Sequence, residues 1–321
     1  MAYTNITNIP LSVAVWLATD TYDAGTAKNY VSATSLLNPI KATVLNLRIS
    51  NNSDIDLADL TPAKIGNAVH DSIEQAWVTN YVKALKSLNY PEKVTKAILI
   101  NPDGPVPDSA VPIYIEKRKQ KEINGFTIGG KFDIVITGQL EDFKTTKTYS
   151  WINQSNKRNY VLQGSIYRWL NQDIITEDFV AINYIFTDWS QVKAIADKTY
   201  PSKPILQQKY PLLSVQETER YLIDRTTLIR DNMHVEQSAM PQCTQEELWQ
   251  KDPVYKYFKN PAKTQRSTKN YTNKYEAYAR LATEGVGVVK AIPGEVKRCN
   301  YCSARGVCQQ AENLELQGLL K

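Results

Sequence analysis

Between Ile113 and Tyr149 the chain changes period. Upstream, apolar residues recur at three- and four-residue steps. Here they alternate with polar ones, in IYIEKRKQ, then FTIGGKFDIVI, then LEDFKTTKTY. Period-two alternation sends successive side chains to opposite faces, so these stretches read as successive strands. The Thr137-Gly138-Gln139 link is short and contains glycine, as a hairpin needs. Farther on, FVAINYIFTDW opens with a nearly unbroken apolar run, the mark of a central, buried strand.

Helical spacing surrounds this strand region. AVWLATDTYD and SATSLLNPIKATVLNLRI read as opening helical stretches, with Ser32 or Thr34 as a cap and Pro39 starting or breaking an element. Residues 62–89 read as the clearest helix, starting at Thr61-Pro62, with His70 and Glu74 sharing one face. NPDGPVPDSAVP is a proline-rich turn region. RNYVLQGSIYRWLNQ and QETERYLIDRTTLIRDNM are further helices, the first placing Gln163 and Tyr167 four apart on one face. The expected class is α/β, a mixed central sheet flanked by helices, with a cysteine-bearing C-terminal extension. The expected divisions are a helical region over 1–60, a core over 61–235, and a basic, cysteine-containing extension over 236–321.

Asp142 and Lys144 lie two apart on one predicted strand, so they share a face; Glu141 and Phe143 take the other. Asp133 lies nine residues upstream across the tight link, where antiparallel pairing can bring it alongside Asp142. Two carboxylates and an ammonium then meet at one spot. Two carboxylates attract a hard divalent cation such as Mg²⁺, which acidifies a bound water and neutralises charge building on a phosphate. A neighbouring lysine can orient that water or stabilise the transition state. Spacing alone does not separate this reading from a salt bridge on a strand.

GKFD, EDFKTT and QGSIY, preceded by GNAVHDSIEQAW, resemble in order the motifs of the PD-(D/E)XK nuclease superfamily, in its RecB-like branch. SATSLL resembles the entry segment of such domains more loosely. The resemblance spans residues 66–167 and implies a restriction-endonuclease-like core and metal-dependent DNA cleavage with Mg²⁺ or Mn²⁺. It implies that Asp133, Asp142, the backbone carbonyl of Phe143 and His70 hold the metal, with Glu116 as an outer carboxylate. Lys144 would assist the water, and Gln163 and Tyr167 would position the site or the DNA backbone. The layout is similar to phage- or prophage-encoded exonucleases of recombination, repair or replication. That implies single- or double-stranded DNA as partner, with a phage single-strand annealing or binding protein as a second.

KRCNYCSARGVCQQ spaces Cys299, Cys302 and Cys308 as C-x2-C-x5-C, and Cys243 lies 56 residues before the first of them. Clustered cysteines in a reducing compartment suggest metal before disulfide. Four thiolates suit Zn²⁺. Several RecB-like nucleases instead carry a [4Fe–4S] cluster on four cysteines, the first preceding the core. Cys243 follows the core, a departure from that pattern, so iron–sulfur, zinc and no metal all stay open.

YKYFKNPAKTQRSTKNYTNKYEAYAR carries Lys256, Lys259, Lys263, Arg266, Lys269, Lys274 and Arg280 against a single acid, Glu276, with aromatics interleaved. Cations track phosphates and rings stack on bases, so this stretch is a candidate nucleic-acid grip; an ordinary solvated surface would look the same. The net charge of +5 is compatible with a polyanionic partner without requiring one. The apolar run Leu11 to Ala18 is far short of a membrane span, and no Lys or Arg precedes it as in a signal peptide, so a cytoplasmic place is expected, host cytoplasm for a phage protein. Two other classes fit less of the pattern: a catalytically inactive nucleic-acid-binding module on a nuclease fold, and a zinc or iron–sulfur regulator.

Overall fold

The computed structural model describes residues 3–19, 29–49 and 55–320. They divide into two compact units. The first holds described residues up to 38 and from 55 to 230; the second joins 39–49 to 231–320.

The first unit is a mixed α/β assembly. Beside a short parallel pair, Tyr3–Thr4 with Ile55–Asp56, its strands in chain order are β1 (Tyr30–Ser32), β2 (Ile98–Ile100), β3 (Val111–Ile115), β4 (Arg118–Ile123), β5 (Phe126–Lys131), β6 (Ile134–Ile136), β7 (Gln139–Thr146), β8 (Phe179–Phe186) and β9 (Ile205–Pro211). Six form the central sheet in the order β9-β8-β7-β6-β3-β2, parallel at β8/β7 and β3/β2 and antiparallel elsewhere. The apolar run of β8 is paired on both edges, and Val180, Ala181, Ile182 and Tyr184 are fully buried. Helix α1 (Leu57–Thr79) packs on β7, and α2 (Lys157–Leu170) packs on β8, β5 and β9.

IYIEKRKQ and FTIGGKFDIVI, read as one strand each, are each broken in two. Both arms bend at the same level and leave the central sheet, so that β4 and β5 pair with each other and with β1 in a separate three-stranded sheet. The register runs unbroken through the bend: Ile115 faces Ile134 before it and Arg118 faces Lys131 beyond it. At the corner the Glu116 N–H donates to the Asp133 carbonyl at 3.0 Å. Glu116 has φ +53°, a left-handed conformation uncommon outside glycine and asparagine. The expected β6–β7 hairpin forms with Thr137 and Gly138 as its two-residue link, both at positive φ, the type that matches strand twist.

Helix α1 starts at Leu57, earlier than Thr61-Pro62. The Asp56 carboxylate accepts the Ala58 N–H at 3.0 Å, and Pro62 lies inside the helix, where it forgoes one intrahelical bond. The helical stretch to residue 89 is interrupted at Asn80 before Tyr81–Ser87. In the AVWLATDTYD stretch, Leu11–Ala18 is helical, and residues 20–23 lie outside the described residues. The 3-10 turn Ser35–Leu37 has Thr34 as its N-cap with no side-chain capping bond, although the Ser32 hydroxyl accepts the Ser35 N–H; Pro39 precedes the helix Ile40–Arg48. No helix among the described residues is long and apolar enough to cross a membrane.

The second unit contains an antiparallel sheet, β10 (Val254–Phe258), β11 (Lys269–Tyr271) and β12 (Val288–Ile292), in the order β11-β10-β12. Helix α3 (Lys274–Glu284) covers one face, over a small core of Tyr257, Tyr271 and Ala277. The helix Ile40–Arg48 belongs to this unit: Arg48 donates to the carbonyls of Asn232, Met233 and Val235.

Candidate active site

Strand β7 sets the centre. Its alternation turns Asp142 and Lys144 to the side of α2 and Phe143 to the side of α1. Asp142 is 4% exposed, and its Oδ2 lies 2.6 Å from Lys144 Nζ as an ion pair, yet accepts no well-formed hydrogen bond. The β6–β7 register pairs Ile134 with Glu141, so one further step sets Asp133 opposite Asp142. Asp133 Oδ2 accepts the Phe143 N–H at 2.8 Å.

Helix α1 brings His70 to the same point. Its Nε2–H donates to the Phe143 carbonyl at 2.8 Å, its Nδ1 lies 3.4 Å from Asp133 Oδ2, and its ring meets the Phe143 ring edge-on. The corner supplies Glu116. One ligand atom each from His70, Glu116 and Asp133 lies within 4.8 Å of the others. Asp142 stands outside that trio but next to it, close enough for its charge to act on His70 and Asp133 to act on it. Glu74, one turn along from His70, lines the same small cleft. Lys131 is ion-paired to Glu116. Sequence spacing did not single it out, although it lies two residues before Asp133, the same-face interval in a strand.

On the opposite side, α2 holds the lysine. Gln163 Oε1 lies 3.5 Å from Lys144 Nζ, and Gln163 Nε2–H donates to the Tyr167 hydroxyl at 2.8 Å. Tyr167 is buried behind Gln163. Tyr160, three residues before Gln163, puts its ring 5.7 Å from Lys144 Nζ; the i,i+3 interval was the signal for it. Gly130 of β5 permits this packing. A Cβ there would come within 2.7 Å of the Tyr167 ring.

The electrostatics follow from crowding. Burial raises Asp142 to about 6, against the pull of Lys144 and reinforced by Asp133. Burial opposes charge on Lys144 as well, but Asp142 and Asp133 outweigh it and hold the ammonium above its usual range. For His70, burial is likewise overcome by the hydrogen bond and charge of Asp133, so the ring is more basic than usual. Asp133 is held below the carboxylate range: burial resists, but His70, Lys144 and the Phe143 N–H prevail. Burial lifts Glu116, which Lys131 only partly offsets. The half-buried trio His70, Glu116 and Asp133, beside the buried Asp142, is an oxygen-rich donor set of the kind a hard divalent cation takes. The Phe143 carbonyl is engaged by the His70 Nε2–H.

The second unit gathers the cysteines. Cys243, Cys299, Cys302 and Cys308 are all free thiols and line one cavity together with Lys41 and Arg305. Burial, then Glu247 and the other thiols, pushes Cys243 up to about 12, and burial raises Cys299 and Cys302. Lys41 is 1% exposed, and its ammonium donates to the Gln237 carbonyl and Gln242 Oε1. Of the basic stretch, Lys259 and Arg280 are both paired with Glu284. Lys269 lies over the Tyr271 ring and Lys274 over Tyr278, while Lys263 and Arg266 are exposed.

No protein-family model and no curated protein matches the chain. Among solved structures it is similar to SSO0001, at 15% identity over 64% of this chain and 79% of that one, with a TM-score of 0.41. It is also similar to a phage-related exonuclease from Haemophilus somnus 129PT, at 13% identity over 64% of this chain and 94% of that one, with a TM-score of 0.28. Likeness at this level does not bear on activity.

Proposed function

We propose that the first unit is a metal-dependent deoxyribonuclease, an exonuclease of the RecB-like kind, cutting phosphodiester bonds in phage recombination, repair or replication in the host cytoplasm. The observation that carries this is the meeting of Asp133, Asp142 and Lys144 with His70 and Glu116 at one strand corner. Mg²⁺ or Mn²⁺ held there supplies an acidified water and neutralises charge on the phosphate. His70, Glu116 and Asp133 would hold it, with Asp142 and the Phe143 carbonyl beside them as further candidate ligands. Lys144 stays an ammonium, so its part is to orient the attacking water and stabilise the phosphate charge rather than to take a proton. Gln163, backed by Tyr167, fixes where that ammonium points. The test is digestion of end-labelled linear DNA with Mg²⁺ or Mn²⁺, beside circular controls. Cleavage abolished in Asp142→Asn and Lys144→Ala supports the reading; no cleavage, or cleavage unchanged in both, removes it.

For the cysteines we propose a metal held on four thiolates, a [4Fe–4S] cluster ahead of zinc, since Cys243, Cys299, Cys302 and Cys308 line one cavity. The buried Lys41 has no carboxylate partner among the described residues and lines the same cavity, a fitting counter-charge for thiolates. Such a cluster would staple the second unit and take no part in hydrolysis.

A further inference from the structure

The two faces of the β11-β10-β12 sheet differ sharply. Tyr255, Tyr257, Tyr271 and Val289 point to α3. Alternation sends Val254, Lys256, Phe258, Asn270, Val288, Lys290 and Ile292 to the face away from the helix, and none of these is acidic. Across that face the register aligns one row: Asn270 opposite Lys256, and Lys256 opposite Lys290. Like charges directly opposite one another on antiparallel strands destabilise a sheet. Among the described residues no carboxylate is paired with either lysine. Lys290 Nζ donates to Thr264 Oγ1, a neutral group, and lies 5.9 Å from the centre of the Phe258 ring. The Thr264 contact also draws the loop between β10 and β11 to this side, and that loop carries Lys263 and Arg266. Among the described residues, none of Lys256, Lys263, Arg266 and Lys290 has a carboxylate within 4.0 Å. Of the remaining cations of the stretch, Lys259 and Arg280 share Glu284, and Lys269 and Lys274 lie over tyrosines.

We propose that this helix-free face, centred on the Lys256–Lys290 pair, binds the sugar-phosphate backbone of a nucleic-acid strand. A row of unpaired cations with an amide at its end suits successive phosphates better than a single small anion. The choice of nucleic acid as the polyanion rests on the nuclease reading of the first unit. Lys290 lies outside the basic run visible in the sequence and joins the site only through strand register. Contacts of this type position the strand without reading its bases.

The experiment measures binding of a fluorescent oligonucleotide to the full chain, without divalent metal, across a salt series. The double variant Lys256→Gln/Lys290→Gln is compared with Lys269→Gln/Lys274→Gln. Each phosphate contact contributes about 0.7 to the slope of log K against log salt for a single strand and about 0.9 for duplex. The first variant is expected to bind more weakly, whatever the sequence, with a slope shallower by about 1.4 to 1.8. The second keeps the wild-type slope. Because the first removes a repulsive pair, it melts no lower than the wild type, so weak binding is not misfolding. Equal slopes for the two variants, or no binding by the wild type, overturn the proposal. DNA cleavage by a chain whose binding ignores Lys256 and Lys290 keeps the nuclease and rejects the sheet; Lys256-dependent binding without cleavage does the reverse.

Discussion

His70 and Phe143 are joined through the backbone: the imidazole Nε2–H donates to the Phe143 carbonyl at 2.8 Å while its other nitrogen faces Asp133. One helix is thereby tied to the strand that carries Asp142 and Lys144. His70→Ala removes both a ligand and that tie. We expect metal affinity to fall at least about tenfold, with activity partly recovered at high Mn²⁺. Metal titrations of cleavage and calorimetric binding test this; an unchanged metal requirement would place His70 outside the centre.

Protons and metal compete for the same atoms. Burial holds Asp142 near 6, and Asp133 holds His70 above its usual value. Cleavage at limiting Mg²⁺ should therefore fall as pH drops through about 6. Raising the metal concentration should move that limb to lower pH. A limb that ignores metal concentration would contradict this assignment.

Stability of the metal-free protein should run the opposite way. A group whose pKa is raised on folding contributes stability below its unfolded value and loses it as pH rises through the folded one. Asp142, Glu116 and His70 all shift upward. Asp133 shifts downward, and its contribution is lost only in stronger acid, below the unfolded carboxylate value of 3.8. For Asp142 the move from 3.8 to about 6 amounts to at most about 3 kcal/mol. Without metal, melting temperature should fall as pH rises from about 4 to about 6, the span over which Asp142 loses its proton in the folded chain. Added Mg²⁺ should restore it, and Asp142→Asn should flatten the trend. A flat wild-type profile would count against the buried carboxylate.

Gly130→Ala places a methyl group 2.7 Å from the Tyr167 ring. Overpacking of this kind costs about 1–3 kcal/mol. Here it should also lower turnover, because Tyr167 backs Gln163 and Gln163 holds Lys144. Gln163→Ala should lower turnover with a smaller change in melting temperature. Equal turnover for Gly130→Ala and wild type would break that chain of contacts.

The four thiols are predicted to load metal with release of protons, since burial keeps Cys243, Cys299 and Cys302 protonated at neutral pH. Anaerobically purified protein should absorb near 400 nm and contain iron, and Cys302→Ser should lose both. A colourless sample holding zinc would select the other metal.

Much of the site was legible before the fold. Period-two alternation alone put Asp142 and Lys144 together, and the glycine link brought Asp133 across. The corner was not legible. Strand alternation continues through Glu116 and Phe132 with no glycine or proline to mark a bend, and a positive φ at a glutamate leaves no trace in sequence. Glu116 therefore read as an outer carboxylate, and Lys131 went unnoticed. The basic stretch was legible only as a count of charges. Such a count ignores which face each residue takes: Lys259 and Arg280, both paired with Glu284, stand in it beside Lys256, while strand register alone sets Lys290 opposite Lys256.

The unbroken register through the bend has a consequence for how this chain tolerates change in length. Glu116 and Asp133 meet because equal numbers of residues run out along β4 and back along β5. Adding one residue to either arm slides one carboxylate past the other and turns its side chain to the wrong face. Lengthening both arms together leaves the corner where it is. Among relatives of this chain, the tip at Asn124-Gly125 should therefore vary in matched steps, while single-residue insertions between the tip and the bend should be absent wherever cleavage is retained.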